Sequence, residues 1–250
     1  MRKTILFLLA LGLSSCLATP TPAPLPTITV TPSPSSTATV EWFPATETPI
    51  PAPTKMLTPI PEFSPGTGDI IFSDDFSTAG TWLLEDTSRG SVNINNNAIN
   101  LVINTPGVFL YSVLEEALFT NFYVEITART NLCVGKDEYG LMFRAARNVS
   151  YYRYSLSCDG EVRLDRILSG VAFSPQDWIP SASVPSAAPG ESRLGVWANN
   201  GELHFFINGN YQFAVIDDQI ALGSFGVFAR SVGENAVTVS FTDLVVREIK

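Results

Sequence analysis

The sequence predicts an all-β domain, an antiparallel two-sheet β-sandwich, preceded by a long extended segment. From Asp69 to Lys250, apolar and polar residues alternate repeatedly with a period of two, and no stretch sustains the 3.6-residue period of a helix. Gly, Asn and Asp separate these alternating runs, as expected for turns. The chain before Asp69 is instead rich in Pro, Thr and Ser, which disfavours both helix and sheet.

The N-terminal residues are typical of an export signal. Two basic residues precede an apolar run from Ile5 to Leu13, which is about half of the roughly 20 residues that a membrane-spanning helix needs. The segment Leu13-Ser14-Ser15-Cys16 resembles the lipobox of bacterial lipoproteins, whose cysteine is diacylated and becomes the first residue. This resemblance implies a signal peptide at residues 1–15, a lipid on Cys16 and an extracytoplasmic, membrane-anchored location. An ordinary secretory signal with an incidental cysteine is the alternative.

Residues 16–68 are predicted to form a disordered stalk that follows the lipidated cysteine. Thr-Pro pairs recur, as in Thr19-Pro20-Thr21-Pro22 and Thr48-Pro49, and such sequences favour extended polyproline II structure. At about 3.1 Å per residue, this segment reaches on the order of 150 Å when fully extended. We therefore expect it to hold the following domain away from the membrane.

Residues 69–250 are predicted to form one domain, because about 180 residues suffice for a single substantial core. The net charge of −9 arises entirely in this part, since the preceding residues carry equal numbers of acidic and basic side chains. Nucleic acids and anionic membrane surfaces are bound through basic patches. The charge therefore argues against a nucleic-acid partner.

The alternating runs of the domain are typical of half-buried strands. In the segment around Phe122, Val124 and Ile126, every second residue is apolar. The run from Leu203 to Ile207 leads into Asn208-Gly209, the sequence preferred in two-residue hairpin turns. Ten or more such strands indicate a sandwich or jelly roll, with a closed barrel as the alternative.

The cysteines predict one disulfide. If Cys16 carries lipid, Cys133 and Cys158 remain as a pair in an oxidising compartment. They flank two neighbouring predicted strands, and their cross-link is expected to contribute about 3 to 4 kcal/mol in the loop-entropy model. A metal site at these cysteines is not expected, since His204 is the single histidine.

Several segments carry a resemblance to a known superfamily. They are Phe72-Ser73-Asp74-Asp75-Phe76-Ser77 with Trp82, Tyr139 to Arg144, Tyr151 to Tyr154, Leu203 to Gly209, and Gly223 to Ala229 with Phe241-Thr242-Asp243. Together they resemble the concanavalin A-like lectin/glucanase superfamily, and more narrowly the jelly rolls of the 3-keto-disaccharide hydrolase type. The resemblance covers nearly all of residues 69–250 and implies a concanavalin A-like jelly roll.

The same resemblance implies three functions. The superfamily holds carbohydrate-binding modules, glycoside hydrolases and laminin-G-like adhesive domains, and a fold alone does not choose among them. A noncatalytic, lectin-like module for a polysaccharide or cell-envelope glycan is our leading hypothesis. A hydrolase of the 3-keto-disaccharide type and a laminin-G-like adhesive or display domain are the alternatives.

No catalytic residue can be assigned from the sequence. A glycosidase needs two carboxyl groups roughly 5 to 9.5 Å apart. The domain has five acidic doublets, and the side chains of adjacent residues point to opposite faces of a strand. Glu161, Arg163 and Asp165 alternate with apolar residues, as a solvated stripe would, and His204 has no evident partner. The Glu-x-Asp-x-x-Glu signature of the related β-glucanases is absent, which favours binding over hydrolysis.

The candidate ligand-binding residues are arginines and aromatics of the matching segments. Guanidinium groups bind hydroxyls and carboxylates, and aromatic faces suit pyranose rings. One candidate lies in the stretch Ser169 to Ser192, which we predict to be a loop. The alternative is that the arginines pair with nearby acids and the rings pack in the sandwich. The candidates are Arg144, Tyr152, Tyr154, Trp178 and Arg230.

Three aspartates are candidate calcium ligands. Asp74 and Asp75 end the first predicted strand, and Asp243 lies in the last, which such folds pair together. Carboxylate oxygens are the ligands that calcium prefers. Turn and strand-end hydrogen bonds are the alternative role, and no other cofactor is expected.

Overall fold

The computed structural model describes residues 65–115, 117–146 and 149–250, and their regular structure is all β-strand. The predictions for the signal peptide, for Cys16 and for the stalk lie outside these residues. Strand structure begins at Thr67, next to the predicted domain start at Asp69. No helix in the described part of the chain is long and apolar enough to cross a membrane.

Fifteen strands make up the described part of the domain. In chain order they are β1 (Thr67–Asp74), β2 (Glu85–Thr87), β3 (Gly90–Asn95), β4 (Ala98–Ile103), β5 (Phe109–Val113), β6 (Phe122–Leu132), β7 (Gly135–Ala146), β8 (Ser150–Cys158), β9 (Glu161–Leu168), β10 (Val171–Pro180), β11 (Gly190–Asn199), β12 (Glu202–Ile207), β13 (Asn210–Ile216), β14 (Ser224–Arg230) and β15 (Val237–Ile249).

The strands form two antiparallel sheets, which confirms the predicted β-sandwich. One sheet has nine strands in the order β13-β12-β11-β6-β15-β4-β3-β2, with β1 also pairing with β15. The other has six strands in the order β10-β9-β8-β7-β14-β5. Each sheet has free edge strands, so the domain is not a single closed sheet. The first and last strands pair along Phe72 and Val246, as the resemblance implied.

The core lies between the sheets and follows the period-two pattern. Phe122, Val124 and Ile126 of β6 are fully buried in it, and Tyr154 and Leu164 approach from the six-stranded sheet. Successive side chains of a strand point to opposite faces, so the residues between these face outward. Burial of one face of each sheet is what holds the two layers together.

The predicted hairpin and the predicted disulfide are both confirmed. Asn208 and Gly209 connect β12 to β13 with φ of 53° and 79°, the left-handed values that such a turn requires. Cys133 and Cys158 form a disulfide with their Cα atoms 5.8 Å apart. Both cysteines are buried, and Cys158 pairs with Gly135 at the ends of β8 and β7.

The prediction of a loop from Ser169 to Ser192 is wrong for about half of these residues, which form strands. Val171 to Pro180 form β10, the edge strand of the six-stranded sheet. Its pairing with β9 shifts register between Phe173 and Gln176 and again before Ile179. These irregularities break the period-two pattern in the sequence. An edge strand also tolerates proline, because one of its sides has no partner strand.

Candidate functional site

The outer face of the six-stranded sheet carries an ordered set of charged side chains. Glu138 on β7, Arg153 on β8, Arg163 and Asp165 on β9 and Arg230 on β14 belong to this set, which we call the arginine face. Their neighbours along the strands, such as Tyr139, Tyr154 and Leu164, are buried in the core between the sheets. The alternation of a strand therefore places these five side chains on the opposite, outward side.

Asp165 is the anchor of the arginine face. Its carboxylate is fully buried and accepts a hydrogen bond of 2.6 Å from Nη2 of Arg153 and one of 2.7 Å from the Ser174 hydroxyl. Nε of Arg163 lies 2.7 Å from Oδ1 of Asp165, the oxygen that also accepts from Ser174. One buried carboxylate thus holds two guanidinium groups in fixed positions. Such charge-assisted contacts are stronger than neutral hydrogen bonds.

Glu138 holds the other end of the arginine face. Nη1 of Arg230 donates to its Oε1 at 3.3 Å, and Nη2 of Arg153 lies 4.0 Å from its Oε2. That second oxygen is buried and has no hydrogen-bond partner among the described residues. Glu138 therefore retains an unused acceptor on this face.

Aromatic rings surround the guanidinium groups. The Cζ atom of Arg153 lies 5.6 Å from the ring centre of Phe109 and 5.4 Å from that of Phe228. Arg163 lies 5.6 Å from the ring of Trp178 on β10. Cations are attracted to aromatic faces at these distances, so the rings restrict the arginines further.

Small residues occupy the middle of the same face. Gly140 on β7 pairs with Ser155 on β8 and with Phe228 on β14. A Cβ atom at Gly140 would lie 2.0 Å from the carbonyl oxygen of Tyr154, so no larger residue fits there. The Ser155 hydroxyl is buried and makes no hydrogen bond within the described part of the chain. A Cβ atom at Gly140 would also lie 3.1 Å from the Phe228 ring, so the centre of the face is closely packed.

The two carboxylates of the arginine face are not arranged as a glycosidase pair. Glu138 and Asp165 each lie within 4.0 Å of the same nitrogen of Arg153, so they are close enough for such chemistry. The guanidinium between them engages both as ion-pair partners. On the intervening strand β8 the outward residues are Arg153, Ser155 and Ser157, none of them acidic.

The prediction of ligand binding is wrong for three of the five candidate residues, because their side chains point into the protein. Arg144, Tyr152 and Tyr154 are fully buried. The backbone of Arg144 has a φ of 49°, which interrupts the alternation of β7. Its guanidinium donates to the carbonyl oxygens of Ile220 at 2.9 Å and Thr120 at 2.8 Å, and burial lowers its pKa. It therefore fixes two loops and cannot contact a surface ligand.

The two tyrosines have structural roles as well. The hydroxyl of Tyr152 donates to the Asp217 carboxylate at 2.6 Å, and burial together with this contact raises the pKa of Tyr152. Tyr154 packs against Phe205 with ring centres 4.9 Å apart, and burial raises its pKa also. The predicted alternative, that these rings pack in the sandwich, is the observed arrangement.

Trp178 and Arg230 do lie on the outward side of the six-stranded sheet. Trp178 is half-buried beside Arg163, and Arg230 is exposed beside Glu138. Sequence reasoning missed Arg153 and mistook Arg163 and Asp165 for a solvated stripe. The strand alternation contained the signal, because Arg153 occupies the opposite parity to the buried Tyr152 and Tyr154.

The three candidate calcium ligands line one open depression of about 390 Å³. Asp74 accepts hydrogen bonds from the backbone of Phe76 and from the Trp82 indole, both at 2.8 Å. Asp75 accepts from the backbone of Ser77 at 3.0 Å, and Ser77 lowers the pKa of its carboxyl. Within the described residues, no group of three or more His, Cys, Asp or Glu could hold a metal ion. The turn hydrogen bonds of Asp74 and Asp75 match the alternative role, and calcium at Asp243 and its neighbours stays a prediction.

His204 lies on the other sheet, away from the arginine face. The expectation that it lacks a partner is wrong, because its Nε2 lies 2.7 Å from the Glu202 carboxylate. Its ring also meets that of Trp197 edge-on, with centres 5.1 Å apart. The imidazole is thus part of a packed aromatic group.

The largest described pocket differs chemically from the arginine face. It has a volume of about 540 Å³ at one end of the sandwich, where β5 and β7 end and β14 begins. Most of its described lining is aliphatic, including Leu83, Leu118 and Leu222, and Glu115 is the charged residue among the described lining residues. A sugar needs many hydrogen-bond partners, so this pocket does not suit one.

Comparisons with known proteins identify the fold. No protein-family model and no curated protein matches the chain. Among solved structures, a carbohydrate-binding module, CBM66, from Bacillus subtilis matches with a TM-score of 0.52 and 14% identity over 68% of this chain and 94% of its own. A protein with a galectin-like fold from Bacillus subtilis gives 0.55 and 14%, covering 74% of this chain and 98% of its own.

A β-glucanase from Bacillus licheniformis is also similar, with a TM-score of 0.55 and 9% identity over 72% of this chain and 98% of its own. These neighbours are concanavalin A-like jelly rolls, so the fold expected from the sequence resemblance is confirmed. Identities this low establish the fold alone.

Proposed function

We propose that this protein is an exported, lipid-anchored protein whose jelly roll binds a polysaccharide noncatalytically through the arginine face. The observation that carries the proposal is the buried carboxylate of Asp165, which holds Arg153 and Arg163 beside the rings of Phe228 and Trp178. Fixed guanidinium groups lose little conformational freedom when a ligand binds. Such preorganisation is what a binding surface requires.

The chemistry of the face supports a sugar ligand. Guanidinium groups donate hydrogen bonds in a planar fork, which suits hydroxyl and carboxylate oxygens. The unpartnered oxygens of Glu138 and Ser155 are buried, so the guanidinium N–H groups are the donors of this face that reach a ligand. The names of two structural neighbours, a carbohydrate-binding module and a β-glucanase, support the same ligand class.

Hydrolysis of a glycoside is the second candidate function. It is favoured by the closeness of Glu138 and Asp165 to one nitrogen of Arg153 and by the glucanases among the similar structures. Binding is preferred because Arg153 separates the two carboxylates. Release of reducing sugar from a bound glycan would favour hydrolysis instead.

The binding proposal predicts selective retention of glycans by the purified protein. We expect binding on an array of polysaccharides and cell-envelope glycans, measured with and without calcium. The Trp178→Ala substitution should weaken binding by about three- to tenfold, because it removes an aromatic surface and a contact to Arg163. Leu132→Ala, an exposed residue at the end of β6, serves as the control. The absence of binding to every glycan contradicts the proposal, and so does an equal loss in the control.

The anchoring proposal predicts a lipid on Cys16. We expect the mature protein to begin at this residue and to carry the additional mass of a diacylglycerol, as measured by intact-mass spectrometry of membrane fractions. A Cys16→Ser variant should lack that mass and leave the membrane fraction. An unmodified Cys16 in the mature protein would refute lipid anchoring without bearing on glycan binding.

A further inference from the structure

The acidic side chains of the arginine face are more deeply buried than its arginines. The side chains of Asp165 and Glu138 are 0% and 6% exposed. Those of Arg153, Arg163 and Arg230 are 12%, 24% and 44% exposed. The face therefore presents guanidinium groups to solvent, although the chain as a whole has a net charge of −9.

Neighbouring acids do not cancel this local positive surface. Glu161 and Asp159 contact Lys136 at the end of β7, so they are engaged with another cation. Asp177 is the exposed acid nearest to Arg163, and it lies 3.9 Å from Nε of that arginine. Asp177 lies on the edge strand β10, whereas the outward acid of β7, Glu138, is only 6% exposed.

The arginines have donors left for a ligand. A guanidinium has five N–H groups. Among the described contacts, Nη1 of Arg230 donates to Glu138 and Nη2 of Arg163 donates to Ser174, while Nε of Arg163 lies 2.7 Å from Asp165 without a hydrogen bond. The remaining N–H groups match the two oxygens of a carboxylate better than a single hydroxyl.

The spacing of the exposed arginines sets the size of the ligand. Arg230 on β14 and Arg163 on β9 are separated by β7 and β8. Three strand spacings correspond to about 14 Å, which is wider than one sugar ring. A ligand that engages both arginines must therefore be a chain with an acidic group at more than one position.

We infer that the arginine face selects an anionic polysaccharide, a chain of carboxylate-bearing sugars that bridges Arg163 and Arg230. This inference rests on the proposed function, because it names the ligand class of the same site. Asp165 and Glu138 act as positioning residues, since they hold the guanidinium groups that contact the carboxylates. Neutral polysaccharides contact the same face without these ion pairs.

The test compares polygalacturonate with the same polymer after reduction of its carboxyl groups. Binding to the full-length protein is measured by titration calorimetry with a calcium chelator present. We expect the acidic polymer to bind about tenfold more tightly at low salt, because charge-assisted hydrogen bonds are the stronger ones. The preference should shrink at about 1 M salt, where the screening length falls to about 3 Å.

Two arginine variants complete the test. Arg230→Ala should reduce the affinity for the acidic polymer about five- to tenfold and that for the reduced polymer by a smaller factor, because a hydroxyl accepts a weaker hydrogen bond than a carboxylate. Arg193→Ala is the matched control, because Arg193 is 50% exposed and pairs with Glu125 on the nine-stranded sheet. Unfolding midpoints of both variants show whether they remain folded.

The outcomes separate the inference from the proposed function. Equal affinity for the two polymers overturns the anionic ligand and leaves glycan binding in place. An equal loss in Arg193→Ala also overturns it, because attraction is then general rather than local. If neither polymer nor any arrayed glycan binds, the proposed function itself fails.

Discussion

We expect the Asp165→Asn substitution to lower the free energy of unfolding by about 3 to 5 kcal/mol, as measured by urea denaturation. Asp165 is fully buried and contacts two guanidinium groups and the Ser174 hydroxyl. An amide keeps the shape of the side chain but removes its charge and turns N–H donors toward Arg153 and Arg163. Both arginines would then lie partly buried without their carboxylate.

The same substitution should abolish glycan binding, because the arginines lose their fixed positions. Asp177→Asn provides the control, since Asp177 also neighbours Arg163 but is 82% exposed. Exposed ion pairs contribute about 0 to 1 kcal/mol, so this variant should unfold close to the wild type. Equal unfolding midpoints for the two variants would show that Asp165 is not the anchor of the face.

Removal of the Cys133–Cys158 disulfide is expected to lower the free energy of unfolding by about 3 to 4 kcal/mol. The two cysteines are separated by 25 residues, so the cross-link restricts a loop of that length in the unfolded chain. The measurement compares denaturant unfolding of the oxidised protein, the reduced protein and a Cys133→Ala/Cys158→Ala variant. Glycan binding should survive in the folded state, because both cysteines lie in the core between the sheets, on the opposite side of the sheet from the arginine face.

A specific result would contradict the disulfide prediction. Thiol titration of the oxidised protein under denaturing conditions should find neither of these cysteines free. Reducing agent should have no effect on the double variant, which separates loss of this bond from other effects of the reagent. Two titratable thiols, or an equal effect of reductant on the variant, would rule out the expected stabilisation.

Arg144 and Arg230 show which part of the candidate site could not be predicted from the sequence. Arg144 follows the run Gly-Leu-Met-Phe, and Arg230 follows the run Gly-Val-Phe-Ala. The two sequence contexts are alike, so they predict the same position for both arginines. In the structure, a left-handed φ of 49° places Arg144 in the interior, and Arg230 lies outside on a regular strand. A single backbone angle thus decides which arginine reaches solvent, and no residue type in the sequence specifies it.

The strands other than β10 could be predicted from the sequence, because the alternation of apolar residues and local turn chemistry depend on near neighbours along the chain. The sequence also determined the hairpin at Asn208-Gly209 and the pairing of Cys133 with Cys158, since few partners were available. The contacts between outward-facing residues of different strands are seen only in the tertiary structure. Glu138, Arg153 and Arg230 come from three strands, and their contacts arise from sheet order and register, which long-range packing sets.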